Sequence, residues 1–162
     1  MHFRELAPGD CNKKEGLLAL MNTMWEYITP GNRGVNTTKM FYDGALLYGK
    51  DRGIDLKCRV LNIEAKKSLR PSILEMSSFI DNAMNADLPV AFLNLSNGTL
   101  KNLDNWHWVT ITAYDSVKHT AIMCDQGSEH EIEMDTWIET TLLGGGLVVI
   151  EPDEEAAERI SV

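Results

Sequence analysis

Apolar residues recur with one period in the first half of this chain and another in the second. Leu17, Leu20, Met21, Met24 and Ile28 fall at steps of three and four, with Leu18 and Trp25 widening the stripe. That spacing predicts an amphipathic helix running from Cys11, with Asp10 as its N-cap, to the stop at Thr29-Pro30-Gly31. The width of the stripe predicts burial along much of its length. Asn36-Thr37-Thr38 opens a second helix that carries Met40, Leu46 and Leu47 and ends at Gly53. Asp55 to Ile63 reads as a strand. A third helix runs from Pro71, a favoured first-turn residue, to Ala86, with Ile73, Met76, Ile80 and Ala83 on one face.

Beyond that helix the period shortens. Leu88 to Leu95 is a short apolar strand, and a polar stretch with an Asn97-Gly98 turn follows. Trp106 to Tyr114 and Thr120 to Cys124 predict a hairpin across Asp115-Ser116-Val117-Lys118. Glu129 to Glu133 is another short strand, and Met134 to Glu139 is short and mixed around Trp137. Gly144-Gly145-Gly146 marks a bend before a last strand, Leu147 to Ile150. Helices first and an antiparallel sheet second is α+β organisation. Residues 1–151 are expected to form one domain, followed by a charged tail over 152–162.

Composition narrows the function more than the fold. The 162 residues carry a formal net charge of -9, which argues against nucleic acid or an anionic membrane as partner, since phosphate contacts need clustered Lys and Arg. The longest apolar run, Leu17 to Met21, is far short of a membrane span, and no secretory h-region opens the sequence. The three cysteines, Cys11, Cys58 and Cys124, form no CxxC pair and cannot all be bridged. A reducing, cytoplasmic setting is the expectation. His119, His130, Glu129 and Glu131 fit no closed zinc spacing, so no metal is assigned.

One histidine interrupts an apolar strand, and an acidic residue ends the next. If the two strands pair, His107 and Asp125 meet, and an imidazole beside a carboxylate is the base half of a nucleophilic site. Cys11 is the matching nucleophile, because a helix N-terminus favours a thiolate. Cys58 and Cys124 lie inside strands and read as small packed hydrophobes. Trp106 and Trp108 flank His107 as candidate substrate-binding residues that exclude water.

The order Asp10-Cys11, His107-Trp108-Val109, Asp125-Gln126-Gly127 and Trp137, closed by the apolar strand at Leu147 to Ile150, resembles the papain-like cysteine peptidases, and among these the C39-like peptidases. The resemblance spans roughly residues 5 to 151. It implies a papain-like fold and a Cys-His-Asp triad of Cys11, His107 and Asp125. It also implies a peptide or protein substrate and no cofactor. Asn12 stands where that family has a glycine, and Glu5 where it has the glutamine of the oxyanion hole. An ionised Glu5 opposes an oxyanion, which leaves the amides of Asn12 and Asn105 as alternative donors. The other expectation, from a different class, is a non-catalytic papain-like domain that binds or regulates.

Overall fold

The computed structural model describes residues 6, 7 and 9–153. Among these, four α-helices are present: α1 (Lys14–Ile28), α2 (Thr38–Asp51), α3 (Ile73–Asn85) and α4 (Met134–Thr140). The strands are β1 (Leu56–Ile63), β2 (Val90–Asn94), β3 (His107–Asp115), β4 (Thr120–Asp125), β5 (Ser128–Glu133) and β6 (Gly145–Pro152). They form one sheet in the order β1-β6-β2-β3-β4-β5, and the pairings from β6 to β5 are antiparallel. The α+β class read from the sequence is therefore present. No helix among the described residues is long and apolar enough to cross a membrane. The chain divides into two compact units. One comprises Met1–Val35, Lys39–Cys58 and Ile150–Val162, and the other Asn36–Thr38 with Arg59–Val149. The charged tail beyond Asp153 lies outside the described residues.

In the first unit α1 differs from expectation at both its start and its burial. It begins at Lys14, with Lys13 at the N-cap position and no side-chain cap. Asp10 does not cap it, because its carboxylate accepts the Asn12 N–H at 3.1 Å and its carbonyl accepts the Lys13 N–H at 2.9 Å. That local turn competes with a helix for the same groups and wins over residues 10–13. No residue of α1 is buried. Leu20, Met24, Tyr27 and Ile28 are half-buried, whereas Leu17, Leu18, Met21 and Trp25 are 45–67% exposed. The predicted stripe was wider than the surface available to cover it. What α1 does meet, it meets closely. Tyr27 packs edge-on against Tyr48 at 5.2 Å and its hydroxyl donates to Asp51 at 3.0 Å. A Cβ on Gly44 of α2 would lie within 2.9 Å of Ile28 atoms, so the helices approach through that glycine.

The second unit holds the core. Alternation along the strands turns Val90, Phe92, Val109, Ile111, Ala121, Met123 and Ile132 to one sheet face. Met76, Ile80 and Ala83 of α3 and Met134, Trp137 and Ile138 of α4 cover them. Phe92 and Trp137 meet edge to face at 4.6 Å. The α3 N-terminus is a capping box: the Ser72 hydroxyl accepts the Glu75 N–H and the Glu75 carboxylate accepts the Ser72 N–H. Pro71 therefore precedes the cap and is not in the first turn. The α4 C-terminus is held from outside the helix by Arg70. Its guanidinium donates to the carbonyls of Ile138 and Thr141, both at 2.6 Å, and to those of Glu64 at 2.9 Å and Ala65 at 2.7 Å. The Gly144–Gly146 bend lets β6 enter the sheet. A Cβ on Gly145 would stand 1.9 Å from the Leu93 carbonyl oxygen, a space only glycine leaves open. At the far side of the sheet β5 is exposed along its length except for Ile132.

Candidate functional site

His107 opens β3 and Asp125 closes β4, and the antiparallel pairing brings these two ends together. Both side chains project to the face that carries Val109 and Met123. His107 Nε2 and Asp125 Oδ1 are hydrogen-bonded at 2.7 Å, with the side chains 28% and 16% exposed. An ionised carboxylate only accepts, so Nε2 carries the proton in this bond and Nδ1 is the nitrogen left to take one up. Asp125 also leads into the tight β4–β5 turn, whose central residues Gln126 and Gly127 have φ of 48° and 84°. On the other flank Trp106 precedes His107 with φ of 55° and is 49% exposed. A large side chain seldom adopts that conformation, and it bends the chain sharply into β3. Trp108 is half-buried, and strand alternation turns it to the sheet face opposite His107, so only Trp106 remains beside the histidine.

Next to this pair lies a buried polar network that periodicity did not reveal. Asn94 is directly across from His107 in the β2–β3 register and has no exposed surface. Its amide donates to the Asp104 carbonyl at 2.5 Å, and its oxygen accepts the Trp137 indole N–H at 2.8 Å. The same indole lies 3.1 Å from the Ser96 carbonyl, which also accepts the Thr141 hydroxyl at 2.7 Å. The signal in the sequence was a lone asparagine in the apolar run 88–95, since a polar side chain there must find partners.

Cys11 belongs to the first unit, His107 and Asp125 to the second. Cys11 is half-buried in the turn preceding α1, not within the helix. Its sulfur faces the Gly16 carbonyl at 3.9 Å. Gly16 makes this turn possible, because a Cβ there would lie 2.2 Å from the Asp10 carbonyl oxygen. Asn12 is exposed beside it, and Glu5 lies outside the described residues. Burial pushes the Cys58 thiol up to about 11, with Asp43 and Glu151 adding to the effect, so Cys58 is an inert thiol at neutral pH. Cys124 is half-buried in β4 between Thr110 and Glu129. His119 is engaged by the Tyr114 hydroxyl at 3.2 Å, and burial raises the Tyr114 phenol above its ordinary range.

The sequence matches no protein-family model and no curated protein.

Proposed function

We propose that this chain is a thiol hydrolase of papain-like, C39-like type that cleaves a peptide or amide bond. The observation that carries the reading is the 2.7 Å bond between His107 Nε2 and Asp125 Oδ1, which leaves Nδ1 free for proton transfer. Cys11 is the nucleophile. Its proton passes to His107 Nδ1 as sulfur attacks the carbonyl carbon. His107 then returns that proton to the departing amine as the C–N bond breaks, leaving a thioester on Cys11. Water, deprotonated by the same nitrogen, hydrolyses the thioester and restores the thiol. Asp125 stays ionised throughout and stabilises the imidazolium between the two transfers. The Cys11 backbone N–H and the exposed Asn12 amide are the donors for the oxyanion, and Trp106 shields the reacting groups. The chemistry calls for no cofactor. The substrate is a peptide or protein, and the setting is a reducing, cytoplasmic one.

Iodoacetamide labelling at mildly acidic pH tests this reading. Selective modification of Cys11, abolished by His107→Ala and slowed by Asp125→Ala, is the expected result. Equal labelling of Cys11 and Cys124, indifferent to His107→Ala, would refute it.

A second reading, a non-catalytic binding or regulatory domain, is favoured by the surroundings of the Cys11 sulfur. The polar atom it faces is the Gly16 carbonyl, an acceptor that suits a thiol and offers nothing to a thiolate. The same labelling separates the two, since this reading expects no dependence on His107.

A further inference from the structure

We infer that Asn94 is a positioning residue for the His107–Asp125 pair, fixing the tautomer and orientation of the imidazole through the chain that leads into it. The inference deepens the hydrolase reading but rests on contacts that exist whether or not Cys11 reacts.

Asn94 sits in β2 directly opposite His107, so the two side chains share a sheet face with Cβ atoms about 5 Å apart. The Asn94 amide is fully buried and both of its ends are used. One end donates to the Asp104 carbonyl, three residues before His107. The other accepts from the Trp137 indole on α4. Between Asp104 and His107 the chain must pass through Trp106 in its left-handed conformation. A non-glycine residue at positive φ persists only where its surroundings hold it there. The Asn94–Asp104 bond is one such restraint, and the bond from the Asn97 N–H to the Asn105 side chain at 2.7 Å is a second on the same segment. Asn94 is held in turn by Trp137, and Trp137 by its burial against Phe92. The rigid side of the site thus runs from the core through Trp137 and Asn94 to the Asp104–Trp106 segment. His107 is delivered to Asp125 at the end of it. Asn94→Asp keeps the acceptor for the Trp137 indole and loses the donor, which makes the Asp104 tether separable from the Trp137 contact.

The test is the nitrogen chemical shifts of His107 in uniformly labelled full-length protein at neutral pH. The parent protein is expected to show a single Nε2–H tautomer with a slowly exchanging Nε2 proton. Asn94→Thr, which shortens the side chain below reach of Asp104, is expected to give a mixture of both tautomers and at least a tenfold faster exchange of that proton. Should Asn94→Thr not fold, Trp137→Phe keeps an aromatic ring against Phe92 while removing the donor to Asn94, and a partial shift in the same direction is expected. A structural role alone would lower stability and leave the tautomer unmixed. A folded Asn94→Thr or Trp137→Phe protein with one Nε2–H tautomer and unchanged exchange overturns the inference. The failure of the hydrolase reading shows separately, as Cys11 labelling indifferent to His107→Ala in the parent protein.

Discussion

Arg70 makes four hydrogen bonds to backbone carbonyls, and their unequal burial sets what its removal should cost. Two acceptors, Glu64 and Ala65, are exposed and rehydrate when the guanidinium leaves. The other two, Ile138 and Thr141, are partly buried at the end of α4, where the helix dipole already concentrates negative charge. A hydrogen bond from a charged donor contributes about 1.5–3 kcal/mol, and an exposed one only a few tenths. Arg70→Met keeps the apolar stem and deletes all four bonds, so the loss should be about 3–5 kcal/mol. In urea, with a slope on the order of 2 kcal/mol per molar, the midpoint should fall by about 2 M at unchanged slope. Arg70→Lys recovers one bond at most, because an ammonium cannot span the forked arrangement, and should lose about half as much. Unfolding followed by far-UV circular dichroism and by tryptophan fluorescence is the assay, with the two signals required to coincide. The site should respond too, since α4 carries Trp137 and Trp137 holds Asn94. A loss below about 1 kcal/mol in Arg70→Met would refute the clamp, because even one of the two partly buried bonds should exceed it.

Four other outcomes follow from the structure. Gly16→Ala sets a methyl 2.2 Å from the Asp10 carbonyl oxygen and should displace the Cys11 turn, changing the iodoacetamide rate at Cys11 while far-UV helix content is retained; an unchanged rate would mean that the turn does not lie on Gly16. Trp25→Glu alters a side chain that is 67% exposed and should shift stability by no more than about 0.5 kcal/mol, whereas a loss above about 2 kcal/mol in urea unfolding would show that this face is covered. Cys58, with its thiol at about 11, should be labelled more slowly than Cys124 at neutral pH and equally fast once the chain is unfolded. Glu75 is held below the ordinary carboxyl range, first by the Ser72 N–H and then by its hydroxyl. A lowered folded value means that its contribution is complete above the unfolded carboxyl range and lost as pH falls through the lowered value. Glu75→Gln should therefore flatten the acid limb of the stability profile, and an unaltered limb would count against the capping box.

Much of this architecture was legible because it is local. Periods of 3.6 and 2 located α2, α3 and the strands to within a few residues. The meeting of His107 with Asp125 followed from pairing two adjacent strands. The start of α1 was not legible, because the turn at Asp10 and a helix compete for the same N–H groups over residues 10–13 and the turn has no pattern of its own. Its exposure was not legible either, since a stripe records amphipathy and says nothing of how much surface exists to cover it. Arg70 reaches carbonyls 68 and 71 positions away, and Asn94 reaches an indole 43 positions away. Periodicity carries no information at such separations. The bulge between Ile111 and Ala113 likewise leaves no mark in the sequence that the hairpin pattern would predict.

The outermost strand on the β4 side has a consequence for how this protein behaves in a crowded solution. β5 presents Glu129, Glu131 and Glu133 at alternate positions, and the Glu131 carbonyl is already taken by the Asn102 amide at 2.5 Å. A sheet border of this kind repels a second copy: like charges would stack across any new strand pair, and one backbone acceptor is blocked. The guard rests on the three side-chain charges. Replacing Glu129, Glu131 and Glu133 together by glutamine removes the repulsion, and concentration-dependent self-association beginning at β5 is the expected result in light scattering; scattering equal to that of the parent protein would refute it.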